Sequence, residues 1–356
     1  MIQVTKPFLP PEEEYISFLN EIWKNNWLTN DGPLLRKLEN EIGRKLNSHY
    51  LQIVNNGTMS LQLIFQALEL EGEVITSPFS YVATVSSLVW EGLDPVFCDI
   101  DPDSWNIDVK RIESLITNKT SAILATHVFG NPCELIELER VARKNNLKLI
   151  YDSSHAFGVK SKGHNIGSFG DASATSLHAT KLFHMVEGGI IETSDKDLSN
   201  KINYMRNFGH KNPLEFYGLG INAKNSEFHS AMGLACLPYL EEIIAKRKKL
   251  YMIYLEKLDA VTFQKISENT QYNYSYVPVI FESENVLNSA LSELNKHEIY
   301  PRRYFYPVLN QLPYVKYSEC VHAEDIASRI LCLPTYFDLN ETEVEEICEI
   351  INQAIE

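Results

Sequence analysis

The sequence predicts an α/β protein: a mainly parallel central sheet with helices on both faces, followed by a smaller C-terminal α/β unit. Three observations carry this. Between about residues 50 and 155, short β-branched runs alternate with amphipathic stretches of helical period, a pattern that builds a parallel sheet covered on both sides. Beyond about residue 240 the order of elements changes. The 356 residues, 44% hydrophobic and 22% charged, suffice for one large unit with an appended smaller one, and contain no repeat or low-complexity segment.

Taken in order, residues 51–54, 74–76, 95–100, 121–128 and 148–152 read as strands. Between them, Leu61, Ile64, Phe65 and Leu68 recur at helical spacing, as do Leu135, Leu138, Val141 and Ala142. An apolar strand at 188–193 leads to helices up to about residue 210, a Gly- and Asn-rich loop over 212–225, and a long helical stretch from 226 to about 258. A strand at 276–281, a helix at 284–297 and a final helix follow; Asn340 with Glu343 three residues on predicts that helix's start. The division falls near residue 240, giving units 1–240 and 241–356.

Charge narrows the functional classes. The 32 Lys and Arg against 47 Asp and Glu leave −15 at pH 7, which disfavours a general grip on nucleic acid or an anionic membrane. Any phosphate is therefore bound in a local pocket. The six cysteines lie far apart with no C-x-x-C pair, so they read as buried reduced thiols and not as a disulfide frame or a metal site. The first eleven residues have one Lys and three Pro and no apolar core, and no uncharged apolar stretch approaches about 18 residues. A cytoplasmic protein is expected.

Four local features carry chemistry. Asn55-Asn56-Gly57-Thr58 lies between a strand and a helix, where free N–H groups, a Gly and a hydroxyl form a seat for one phosphate; the same residues also suit a plain turn with Thr58 as cap. Asp152 ends an apolar strand and is followed by Ser153, Ser154 and His155, which puts an acid at the ligand crevice of such sheets or at a helix cap. Lys181 stands among Leu177, Leu182, Phe183 and Met185, surroundings that lower an amine's pKa and free it for Schiff-base chemistry. Phe79-Ser80-Tyr81 follows another strand end and offers a flat ring to a heteroaromatic ligand, or a core aromatic. Jointly, a phosphate turn, an aromatic, an acid and a lysine are the contacts pyridoxal phosphate needs. No G-x-G-x-x-G follows the early strands, against a Rossmann dehydrogenase.

In that order, with Lys181 29 residues after Asp152, the chain resembles the DegT/StrS sugar-nucleotide aminotransferases of the aspartate-aminotransferase superfamily. The matching stretches are Trp27-Leu28-Thr29-Asn30-Asp31-Gly32-Pro33, Asn56-Gly57-Thr58, Glu73-Val74-Ile75-Thr76, Phe97-Cys98-Asp99-Ile100-Asp101, Asp152-Ser153-Ser154-His155-Ala156, the 176–189 segment and Gly220-Ile221-Asn222-Ala223-Lys224. The resemblance implies a fold-type I homodimer with active sites at the subunit interface. By it Lys181 is the Schiff-base lysine, Asp152 the partner of the pyridine nitrogen, and Gly57, Thr58 and Ser176 the phosphate cup. Tyr81 matches the stacking aromatic and His155 lies beside the ring. Asn222 or Lys224 reaches the phosphate from the partner subunit, although Lys224-Asn225 replaces a common Arg-Met pair.

The resemblance also implies transfer of an amino group from L-glutamate to a ketosugar. Residues 5–10, 176–187, 207–210 and 301–307 are similar to those of enzymes that aminate the 4-keto position of a dTDP-linked 6-deoxyhexose, giving dTDP-4-amino-4,6-dideoxyglucose for surface polysaccharide (O-antigen). A 3-keto sugar or a GDP- or UDP-linked sugar would use the same cofactor residues, and a non-catalytic pyridoxal-phosphate-binding regulator would share the fold. Arg302 and Arg303 are candidates for a pyrophosphate or a carboxylate, or a solvent-facing pair. His178, His184 and His210 are candidates for the sugar pocket, as is Tyr306, or structural residues.

Overall fold

The computed structural model describes residues 1–355. Seven strands form the central sheet: β1 (Tyr50–Val54), β2 (Glu73–Thr76), β3 (Asp94–Phe97), β4 (Thr120–Thr126), β5 (Lys148–Asp152), β6 (Ala172–Ser176) and β7 (Gly189–Thr193). They lie in the order β1-β7-β6-β5-β4-β2-β3. Strand β7 runs antiparallel to both neighbours; the other pairings are parallel.

Period-two alternation sends neighbouring residues to opposite faces. Val74, Ala122, Leu124 and Ile150 bury against the Gly57–Ala67 and Lys196–Met205 helices, whereas Ile75, Ile123, Leu149 and Tyr151 bury against the Leu135–Lys144 helix. Of the residues read at helical spacing, Leu61, Ile64, Phe65, Leu135, Leu138, Val141 and Ala142 are buried in these layers, and Leu68, at the end of its helix, is half-buried. Strand β6, Ala-Ser-Ala-Thr-Ser, has almost no apolar signature of its own; burial on both faces between β5 and β7 defines it.

The long helical stretch is broken in the structure. Pro238 lacks an amide proton and its ring excludes the preceding turn, so the Glu227–Cys236 and Leu240–Lys257 helices are joined by one turn of 3-10 helix, Leu237–Tyr239. The C-terminal unit holds an antiparallel sheet of β8 (Thr262–Phe263), β9 (Val277–Ile280) and β10 (Ile330–Leu333), with β9 central. The Leu240–Lys257, Glu284–Lys296 and Glu341–Ile355 helices cover it through Leu250, Tyr254, Leu287, Leu294, Val344 and Ile347. Asn340 and Glu343 cap the last helix reciprocally, at 2.8 and 2.9 Å.

The N-terminal segment ties the C-terminal sheet region to the central one. Ile2–Gln3 pair in parallel with Ile299–Tyr300, the Val4 carbonyl accepts from Thr335 N–H at 3.0 Å, and Lys6 meets Asp338 at 2.7 Å. Phe8 then packs on Tyr239 and Phe337, against the cluster that holds Ile53 and Ile190 of the central sheet. All six cysteines are free and buried, matching the reading of them as thiols. Among the described residues no helix is long and apolar enough to cross a membrane, and no three His, Cys, Asp or Glu side chains are placed to share a metal ion.

Candidate active site

Strand register builds the site. Gly189 at the start of β7 stands opposite Val54 of β1 and Ser176 of β6, and Asp152 pairs with Ala174. The turn after β1, the acid after β5 and the loop after β6 therefore open on one crevice, a cavity of ≈ 290 Å³ whose walls include Gly57, Thr58, Asp152, Ser176, Lys181 and Tyr276.

Asn56 caps the Gly57–Ala67 helix, its Oδ1 accepting from Met59 N–H at 2.8 Å. The earlier N–H groups, which have no acceptor within a helix, belong here to Gly57 and Thr58 on the cavity wall. A side chain on Gly57 would meet Ser176 Cβ at 3.0 Å, so glycine lets the turn and Ser176 form one cup. Gly189 is constrained more tightly, because a Cβ there would lie 2.3 Å from the Asn56 carbonyl oxygen.

Asp152 is buried and doubly held: its Oδ2 accepts from Thr84 Oγ1 at 2.7 Å and its Oδ1 from Ser154 N–H at 3.1 Å. Thr84 extends this support to Ser80, whose Oγ lies 2.7 Å away. The segment between β6 and β7 folds back on itself, with Leu177 N–H donating to the Gly188 carbonyl and Met185 N–H to that of Leu177. Leu177, Leu182, Phe183 and Met185 are buried, and Lys181 projects from this apolar base into the cavity. Burial holds its amine below the ordinary lysine pKa, with Asp152, Tyr304 and Tyr81 opposing that shift. Its Nζ lies 3.3 Å from Tyr276 Oη.

His155 is buried in an aromatic stack, 5.5 Å from Phe305 and 6.0 Å from Phe129. Its Nδ1 accepts from Phe129 N–H at 3.2 Å, which assigns the ring proton to Nε2. Burial, then the Lys181 and His127 charges, keep the imidazole neutral well below the usual histidine range.

The other candidates separate. Tyr81, 54% exposed, lines the cavity beside Arg302 and His178. Arg302 has its Nη1 3.1 Å from Tyr304 Oη. Arg303 lies outside the lining, bound to Glu284 at 2.8 Å and to the Ser328 carbonyl at 2.6 Å; exposed Tyr306 covers its guanidinium. His184 also lies apart from the cavity: its Nδ1 accepts from Val186 N–H at 3.3 Å and its Nε2 donates to the Phe8 carbonyl at 2.6 Å. His210 packs on Phe216 with tilted rings, their centroids 4.4 Å apart, in a hairpin outside the cavity lining. Asn222 and Lys224 bond to each other at 2.7 Å, also away from this cavity. Sequence reading missed Thr84, Tyr276 and Tyr304; an aromatic directly before β9 was the available signal for Tyr276.

This set fits pyridoxal phosphate on the structure's own terms. A helix start with orphan donors and a glycine-dependent cup suits a phosphate, a held carboxylate suits a protonated ring nitrogen, and an amine of lowered basicity suits an aldehyde. Fold and site together define a pyridoxal-phosphate-dependent transferase of fold-type I.

The profile of the DegT/DnrJ/EryC1/StrS aminotransferase family matches residues 11–352. The chain is 41% identical to the dTDP-4-amino-4,6-dideoxy-D-glucose transaminase of Shigella dysenteriae, covering 99% of this chain and 98% of that one. It is 32% identical to the GDP-perosamine synthase of Escherichia coli O157:H7 over 99% and 98% of the two chains. The crystal structure of DesI with its TDP-sugar product superposes with a TM-score of 0.94 at 32% identity, over 99% of this chain and 93% of that one. The chain belongs to the DegT/DnrJ/EryC1/StrS aminotransferase family and is a pyridoxal-phosphate-dependent aminotransferase.

Proposed function

We propose that the chain moves the amino group of L-glutamate to C4 of dTDP-4-keto-6-deoxy-D-glucose, giving dTDP-4-amino-4,6-dideoxy-D-glucose for surface polysaccharide, as a cytoplasmic homodimer. The observation that carries the choice of sugar is the 41% identity over nearly the whole of both chains, together with an intact Lys181 in the cavity. Pyridoxal phosphate, when bound, supplies a ring that accepts the electrons left behind when a proton leaves the substrate carbon.

The chain's own residues supply the rest. Gly57, Thr58 and Ser176 would hold the cofactor's phosphate and Asp152 would pair with its ring nitrogen, while Thr84 and Ser154 keep that carboxylate oriented. Tyr81 and His155 confine the ring. Lys181 Nζ, less basic than an ordinary lysine because of its apolar surroundings, takes a proton from the substrate carbon and returns it on the other side of the exchange. Arg302 lines the cavity with its Nη1 held by Tyr304 and offers its remaining N–H groups to an anionic group of either substrate.

The homodimer reading rests on exposed apolar groups, with Leu214 92%, Phe216 65% and Leu219 82% exposed. They precede in sequence the loop that bears Asn222 and Lys224, which do not line their own cavity and so are available to a partner's. Such a patch on one chain marks an interface. Light scattering on the purified protein is expected to give twice the chain mass.

The deciding experiment is an absorbance scan between about 300 and 500 nm, which follows the cofactor's chromophore. L-glutamate is expected to bleach the visible band, and dTDP-4-keto-6-deoxyglucose to restore it. Restoration only by a GDP-linked or 3-keto sugar reassigns the substrate. Absence of bleaching sinks the aminotransferase reading, and Lys181→Ala is expected to abolish both phases.

A further inference from the structure

Tyr276 stands immediately before β9, far along the chain from the lysine, yet its hydroxyl is a hydrogen-bond partner of the lysine amine. Oη lies 3.3 Å from Lys181 Nζ, and the ring is edge-on to His155 at 4.9 Å. The backbone behind it is bolted in place. Asn273 Nδ2 donates to the His155 and Phe157 carbonyls at 3.0 and 3.1 Å, and Arg247 Nη1 donates to the Ser275 carbonyl at 3.0 Å. The phenol is thus fixed against the loop that follows Asp152.

We propose that Tyr276 is a catalytic residue, whose hydroxyl oxygen accepts a hydrogen bond from the protonated Lys181 amine and holds it in place while it carries the proton moved in the reaction. The phenol keeps its own proton throughout. This rests on the proton-carrying role given to Lys181 above. A hydrogen bond from an ammonium is roughly twice as strong as one between neutral groups, so Tyr276 favours the charged amine and offsets part of its burial. The other groups facing the amine are Asp152, Tyr81, Tyr304 and His155; those facing the phenol are Arg247, Asp152, Tyr81 and Cys332.

The test is Tyr276→Phe, which keeps the ring and its packing. In the full chain without added cofactor, reductive methylation of Lys181, read by peptide mass spectrometry against pH, reports the amine's midpoint. The variant's midpoint is expected to fall by about half to one pH unit. In the loaded enzyme the glutamate half-reaction is expected to slow about tenfold at saturation, with the half-saturating glutamate concentration unchanged. An unmoved midpoint, or a loss confined to the glutamate concentration required, overturns the proposal. Wild-type protein that fails to bleach with glutamate would instead sink the functional reading, leaving the methylation result to stand by itself.

Discussion

Asp152 shows how a single side chain depends on its supports. Thr84 contributes one of its two hydrogen bonds, and removing that hydroxyl leaves a buried carboxylate oxygen without a donor. Thr84→Val is expected to lower kcat about tenfold, equivalent to one hydrogen bond to a charged group, with the cofactor retained in the absorbance spectrum. Arg302 and Arg303 are adjacent in sequence but have opposite fates, because β-like backbone sends them to opposite sides. Arg302→Ala is expected to raise KM about tenfold for one of the two substrates. Arg303→Ala is expected to leave KM unchanged and lower Tm, since Glu284 and the Ser328 carbonyl lose their partner. Lys181 and Asp152 were legible because their apolar sequence neighbours predicted burial; Tyr276 was not, because the contact spans 95 residues.

Among the elements, the N-terminal strap and the lysine segment are joined by His184. Its imidazole accepts from Val186 N–H and donates to the Phe8 carbonyl, so it serves both segments at once. Val186 needs the support, since a β-branched residue at φ 69° is strained. His184→Ala is expected to cost about 1–3 kcal/mol, the range for unsatisfied buried partners, measured by urea unfolding. Asp99 makes a comparable link: its carboxylate accepts from His322 and Ala323 N–H at the start of the Val321–Arg329 helix, at 3.0 Å each. A two-residue strand such as Ile2–Gln3 leaves no periodic signal, and the function of His184 is set by a partner 176 residues away. By contrast, the reciprocal Asn340–Glu343 cap was legible because both partners lie within one turn.

For the whole molecule, buried neutral histidines set an acid limit. Burial lowers the His127 pKa to about 3, and His155 lies well below its ordinary value. An unfolded chain protonates both near pH 6.5, so below that pH it binds more protons than the folded one. Their contribution is intact above about pH 6.5 and is lost as pH falls toward the folded values. Each histidine is expected to remove about 1.4 kcal/mol of stability per pH unit in that window, measured as denaturant midpoints between pH 7 and 5. Replacing His127 with Gln should flatten its share of the slope, provided the variant folds.

What the sequence alone determined was local or periodic: the alternation of strands and helices, the strand-to-helix turn at Asn56-Gly57, the acid at a strand end, the lysine in an apolar segment and the reciprocal Asn340–Glu343 cap. These follow from spacing within a few turns or residues, where backbone geometry imposes the same neighbours in any fold. Only the tertiary structure decided which distant groups share the cavity. Strand register brought Gly57, Asp152 and Ser176 together, packing of the second unit delivered Tyr276 and Arg302, and the strap claimed His184. The reason is physical: a side chain's chemistry is set by burial and by partners across the chain, and neither has a period that the sequence can display.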